Sequence, residues 1–249
     1  MYPQITGTTA LVTGANRGIG RALVQALLDR GARKVYAASR HPEQLDALVR
    51  DTGGRVVAIT LDVTDSAQIR GAAARAGDVT LLINNAGIVA QFGGDFTDAG
   101  WIAAARDEFG VNAIGTLEVT QAFAPILEAN GGGAVVNISS VAGLVAFPVL
   151  TSYSASKAAV HSITQATRAQ LAPQGTFVAG VYPGPIDTDM AEKIPLEKAS
   201  PESAAHAILD GLEAGEEDIF PDPMSRQFGE NYLKSPKALE HQVSGPAVV

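Results

Sequence analysis

A chain of 249 residues, 46% hydrophobic and 18% charged, can bury about three quarters of its unfolded surface in one α/β core without disulfides or metal. It has no cysteine, which excludes thiolate catalysis and cysteine-ligated zinc; His41, His161, His206 and His241 show no metal-ligand spacing, so no metal site is expected. A net charge of −8 lacks the basic footprint of a nucleic-acid or anionic-membrane binder.

No apolar run approaches the roughly 18 residues of a membrane span, and residues 1–7 lack the basic-then-apolar order of a signal peptide. A soluble cytoplasmic protein with no nucleic-acid or membrane partner is the expectation. In chain order, apolar runs stand at 9–13, 34–38, 56–60, 79–83, 134–138 and 177–181, each followed by a helical pattern. Runs apolar on both faces suit strands of a parallel sheet joined by crossover helices. The reading is a single α/β domain over 1–249, a Rossmann-type doubly wound parallel sheet of six or seven strands with helices on both faces. The seventh would be a short strand near Asp218–Phe220. From Pro221 onward, four prolines punctuate a polar segment read as a C-terminal tail over 221–249, loose from Ser244.

The first strand runs into Thr13-Gly14-Ala15-Asn16-Arg17-Gly18-Ile19-Gly20. Glycines there permit positive φ and bring backbone N–H groups close to a pyrophosphate at a helix N-terminus. A glycine-rich turn also serves plain close packing, but its place after the first strand favours a dinucleotide. The second strand ends in Ser39-Arg40, where an NAD site would usually carry an acid. Arg40 offers a planar fork to a 2′-phosphate, and Arg17 approaches from the glycine turn. Either arginine alone also reads, less strongly, as a solvated charge; together, with no acid at the strand end, they favour NADP(H) over NAD(H).

Ser140, Tyr153 and Lys157 form a third group. If Tyr153 opens a helix, Lys157 lies one turn on, on the same face. A phenol is almost wholly protonated at neutral pH. A nearby ammonium and the positive ring of an oxidised nicotinamide would both favour phenolate, fitting Tyr153 to exchange a proton with a carbonyl or alcohol oxygen. Tyr-x-x-x-Lys by itself is also an ordinary surface pair, and gains weight only from its company.

That company resembles the short-chain dehydrogenase/reductase superfamily, in its subgroup of about 250 residues. The resemblance extends to about residue 190 and rests on ordered motifs: Thr13-Gly14-x-x-x-Gly18-Ile19-Gly20, Asp62-Val63, Asn84-Asn85-Ala86-Gly87, Asn112, Ser140, Tyr153-x-x-x-Lys157, and Pro183-Gly184 leading to Thr188. It implies Tyr153 as general acid/base, with Lys157 tuning it and binding the nicotinamide ribose. Ser140 would hydrogen-bond the substrate oxygen, while Ser139 is a strand-end hydroxyl. Asn112 would hold a water in a proton relay; it also reads as a helix-bend residue bonding backbone, and the two roles are compatible. Asp62 and Val63 would flank adenine, and Asn85, Ala86 and Gly87 the adenosine ribose, with Asn84 tying strands. Pro183, Gly184, Ile186 and Thr188 would border the nicotinamide.

The chain departs from the family in two places. The segment 189–201 is short, implying an open pocket and loose selectivity. The end lacks the Gly-Gly strand that helps build a tetramer, although helices around 108–128 and 154–171, with the small Ala155, Ala158 and Ala159, would still support a homodimer or homotetramer. Val89, Gln91, Phe92, Leu144, Val145, Phe147, Leu150, Tyr182, Met190 and Ile194 are the expected pocket residues. With no Lys or Arg among them, a small uncharged ketone, aldehyde or secondary alcohol is the expected substrate. The alternatives are a non-catalytic NADP(H)-binding redox sensor or scaffold, which needs no Ser-Tyr-Lys set, and a Rossmann-like methyltransferase, which leaves Tyr153 and Lys157 without purpose.

Overall fold

The computed structural model describes residues 3–245. Strands β1 (Thr9–Thr13), β2 (Lys34–Ser39), β3 (Val56–Thr60), β4 (Leu81–Asn84), β5 (Gly133–Ile138), β6 (Thr176–Val181) and β7 (Asp218–Ile219) form one sheet of order 3-2-1-4-5-6-7. Every pairing is parallel. The helices are α1 (Gly18–Asp29), α2 (Asp46–Asp51), α3 (Ser66–Arg75), α4 (Gly100–Glu108), α5 (Thr116–Ala129), α6 (Thr151–Leu171), α7 (Pro201–Ala214), α8 (Pro223–Lys234) and α9 (Pro236–Ser244). The expected doubly wound sheet is present, and the expected strands fall within a residue or two of those observed.

The strands are buried on both sides because their side chains alternate between two apolar layers. Ala10, Val12, Leu81, Ile83 and Val136 enter the layer shared with Leu23 and Leu27 of α1 and Ile208 and Leu212 of α7. Leu11, Leu82 and Val135 enter the opposite layer with Ile69 of α3 and Val119, Phe123 and Leu127 of α5. The chain winds outward from β1 to β3, then returns to β4 beside β1 and winds the other way. At that reversal the crossover helices diverge, leaving a crevice at the carboxyl ends of the strands.

Two features differ from the sequence reading. The segment from Pro221, expected as a tail, folds into α8 and α9. Asp222 and Ser235 accept hydrogen bonds from helix amides at Ser225 and Ala238, each with proline at the first helical position. Leu239 is buried where the segment packs back. Of the stretch expected to be loose, Ser244 closes α9, and 246–249 lie outside the described residues. Second, α4 passes into a π-helical turn at Phe109–Gly115 before α5. No helix among the described residues is long and apolar enough to cross a membrane.

Candidate active site

A cleft of about 1110 Å³ opens at the reversal point. Its floor is the turn between β1 and α1. Gly14 and Gly18 take φ of +65° and +53°, where a Cβ is strained. A Cβ on Gly20 would stand 2.3 Å from the Gly14 carbonyl oxygen, so this turn closes only with glycine. Arg17 occupies the cap position of α1 without capping it, so no cap side chain covers the first-turn amides. An uncapped helix start behind a close-packed glycine turn fits a pyrophosphate. Asn85 holds the turn shut from the side: its Nδ2 donates to the carbonyls of Thr13 at 2.9 Å and Gly14 at 3.2 Å. Its amide is therefore spent on the protein, although it lines the cleft beside Ala86 and Gly87.

Toward the edge of the sheet, Asn16, Arg17, Ser39, Arg40, Asp62 and Val63 line the same cleft. Ser39 is buried and its hydroxyl accepts from the His41 amide. Arg40 is exposed and makes no ion pair among the described residues. Arg17 differs: its guanidinium bonds Asp189 at 2.6 Å, across the cleft mouth. That pair is exposed on both sides and so contributes only about 0–1 kcal/mol. Asn16 is bonded to Gln44. One oxygen of Asp62 takes both the amide and hydroxyl of Thr64.

At the other end stand Ser140, Tyr153 and Lys157. Tyr153 and Lys157 fall in the first two turns of α6, both buried, with the lysine Nζ 5.8 Å from the tyrosine ring centre. Burial lowers Lys157 to about 8, and its Nζ donates to the Ile138 carbonyl at 2.7 Å. Burial likewise pushes the Tyr153 phenol up to about 12; the Ser140 hydroxyl partly offsets this and Glu108 adds to it. The phenol is thus more firmly protonated than in water, because the loss of hydration outweighs the Ser140 hydrogen bond. Ser140 starts a short 3-10 turn, its Oγ accepting from the Ala142 amide and facing the Pro183 carbonyl. Ser139 is more than a strand-end hydroxyl: it donates to the Lys157 carbonyl at 2.9 Å and so fixes α6 against β5.

Asn112 sits within the π turn, fully buried. Its Nδ2 donates to the Ile88 carbonyl and to Ser156 Oγ, and its Oδ1 accepts the Ile88 amide. Both amide hydrogens are engaged, so the side chain ties the loop after β4 to α6. Asn84 ties strands as expected, donating to Asn137 on β5. Pro183, Gly184, Ile186 and Thr188 line the wall between Ser140 and the glycine turn, where Thr188 Cγ2 comes within 3.0 Å of a Cβ position on Gly18.

Of the expected pocket residues, Val89, Phe92, Phe147, Leu150, Met190 and Ile194 line the cleft. Gln91, Leu144, Val145 and Tyr182 do not. Gln91 turns back to the Gly93 carbonyl, Val145 is buried behind the 3-10 turn, and Tyr182 stacks on Phe220 while bonding His161. Sequence reasoning missed Met224 and Phe228 of α8, which complete the apolar wall. It also missed Glu108, buried on α4, which accepts the Ala90 amide. The Asp222-Pro223 pair was the available signal for α8; nothing local marks Glu108.

Comparison with known proteins bears on this geometry. The family model described as short chain dehydrogenase matches residues 8–199. The 3-oxoacyl-acyl-carrier-protein reductase of Thermotoga maritima is 35% identical over 79% of this chain and 80% of its own. A short chain dehydrogenase of Burkholderia cenocepacia, solved in complex with NADP, superposes with a TM-score of 0.89 at 43% identity, covering 98% of this chain and 100% of its own. A relative from Burkholderia phymatum, solved in complex with NAD, gives a TM-score of 0.83 at 25% identity over 99% of both chains.

The Gly20 contact yields a direct test. Gly20→Ala should destabilise the protein by about 1–3 kcal/mol through overpacking and weaken dinucleotide binding at least about tenfold by moving the helix start. Thermal unfolding and cofactor fluorescence measure the two effects; wild-type values in both would contradict the described turn.

Proposed function

This chain belongs to the short-chain dehydrogenase family, and from that premise we propose that it is an NADP(H)-dependent oxidoreductase acting between a small uncharged ketone or aldehyde and the secondary or primary alcohol. The observation that carries the reading is the phenol of Tyr153, buried beside Lys157 and Ser140 at the mouth of an apolar pocket on the reversal-point cleft. The nicotinamide, when bound, supplies or accepts the hydride.

The chain's own residues do the rest. A neutral Tyr153 hydroxyl is a proton donor to a carbonyl oxygen, and the Ser140 hydroxyl is a second donor to the same oxygen as it gains negative charge. Lys157, held at Nζ by Ile138, keeps a positive charge near the phenol, which favours phenolate when an alcohol must lose its proton. Asn112 acts at one remove, holding Ser156 and therefore the first turns of α6. The cofactor-binding set is Gly14, Asn16, Arg17, Gly18, Ile19, Gly20, Ser39, Arg40, Asp62, Val63, Asn85, Ala86, Gly87, Pro183, Gly184, Ile186 and Thr188, with Tyr153 and Lys157 on the nicotinamide ribose.

Support for NADP(H) over NAD(H) comes from Arg40, exposed at the end of β2 with no competing acid paired to it. Arg17 would first have to leave Asp189, so Arg40 carries the larger share of the preference. Support for an uncharged substrate comes from the pocket wall. Lys157, the cation beside the phenol, already has its nitrogen bonded to Ile138, and the arginines that line the cleft, Arg17, Arg21, Arg40 and Arg55, belong to the glycine turn, α1 and the β2–β3 side. A homo-oligomer formed through α5 and α6 is part of the same reading, since Ile114 and Leu117, where the π turn passes into α5, are exposed large apolar side chains and the small Ala155 and Ala158 of α6 are exposed.

Tyr153→Phe removes the proton donor while leaving the ring. Ketone-dependent NADPH oxidation should fall about 10²–10⁴-fold with NADPH affinity within about threefold of wild type; undiminished turnover would remove Tyr153 from the chemistry. Arg40→Asp should weaken NADPH binding about 10–100-fold or more, and NADH binding far less, by fluorescence titration with each cofactor. Equal losses for both would contradict the assignment at β2.

A further inference from the structure

The short segment 189–201 gives the cleft Met190, Ile194 and Leu196, and a second element from farther along the chain lines it as well. That element is α8. Met224 and Phe228, one helical turn apart, both reach the cleft, while Arg226, Gln227 and Glu230 of α8 are exposed. Phe228 stacks on Phe147 with ring centres 5.9 Å apart and planes inclined by 18°. The backbone amide of Phe147 is in turn held by Ser154 Oγ, the residue after the catalytic tyrosine.

The position of α8 is fixed at its start by a buried carboxylate. Asp222 Oδ2 accepts the Gly184 amide at 2.8 Å, and its Oδ1 accepts the Ser225 amide at 2.9 Å. The Ser225 hydroxyl bonds the Asp222 backbone in return. A Cβ on Gly184 would lie 2.8 Å from Asp222 Oδ1, so the approach needs glycine at that point. The neighbouring Pro183 carbonyl accepts the Val141 amide and faces Ser140 Oγ. Further along, Gly229 seats against the Phe220 ring, where any Cβ would come within 3 Å of it. The wall thus joins the serine side of the site through Asp222 and the tyrosine side through Phe147. A carboxylate taking two backbone amides in a buried setting makes a stiff joint.

We propose that α8 is the specificity wall of this enzyme: Met224 and Phe228, positioned by Asp222 on the Pro183-Gly184 turn, select ketones whose group beyond the carbonyl is a flat apolar ring. A ring face packs on stacked phenyls and on a thioether better than a short alkyl chain does. The proposal rests on the oxidoreductase reading for turnover, but binding tests it separately. Asp222 is a positioning residue and touches no reacting atom.

The probes are acetophenone, which carries a ring, and 2-butanone, which carries an ethyl group. Wild type should favour acetophenone in kcat/KM. In Phe228→Ala and the milder Phe228→Leu, acetophenone should lose about five- to tenfold more than 2-butanone. Asp222→Ala should shift the ratio the same way, mostly through KM. It should also speed hydrogen exchange at Gly184 and over 224–228 while α6 and α7 stay protected. Calorimetric binding of both ketones to the NADP⁺-saturated protein completes the set. If wild type binds acetophenone in a Phe228-dependent way without reducing it, the wall stands and the oxidoreductase reading falls. If both ketones lose equally in every variant, or wild type shows no preference for the ring in binding, the wall is disproved.

Discussion

Two polar groups are largely withdrawn from water: the phenol of Tyr153 and the amine of Lys157, one turn apart on α6 and both buried beside the cleft. Each is pushed toward its neutral form, the phenol up to about 12 and the amine down to about 8. Much of the surrounding structure serves to keep them there. Ser139 holds the carbonyl of Lys157, Ile138 takes its ammonium, and Asn112 reaches Ser156 from the π turn. On the proposed function, such preorganisation would let a proton donor and a fixed hydrogen-bond donor meet a developing oxyanion without rearrangement. The same burial keeps the phenol protonated until another charge arrives, so its acidity is conditional on what fills the cleft.

That conditional site is placed by the topology. The reversal between β1 and β4 opens the crevice, the glycine turn fills its floor with backbone amides, and β5 and β6 carry Ser140 and Pro183 to the same end. Burying strands on both faces leaves only their carboxyl ends available for chemistry, which is why residues far apart in sequence converge there.

Much of this was legible in the sequence, and for identifiable reasons. The strands were, because a residue buried on both faces of a sheet has to be apolar, and runs such as Leu81-Leu82-Ile83 leave little other reading. Tyr153 and Lys157 were, because helical spacing puts them on one face and the ordered motifs around them single that face out. The π turn was not: its residues, Phe109 to Gly115, show no local pattern distinct from a helix. The segment from Pro221 was misread because its helices bury little; Met224 and Phe228 face the cleft, so the apolar periodicity is sparse. Pairings such as Arg17 with Asp189, or Gly184 with Asp222, depend on how distant segments meet and leave no local trace.

The account turns on the acidity of one tyrosine. Tyrosine ring-carbon NMR, with Tyr153→Phe to assign the signal, can follow its ionisation in free protein and in the complex with oxidised NADP⁺. The account predicts titration near 12 in the free protein and a fall of about 2 units or more once the positive ring is bound. An unchanged value in the complex, or an ordinary value in the free protein, would contradict it.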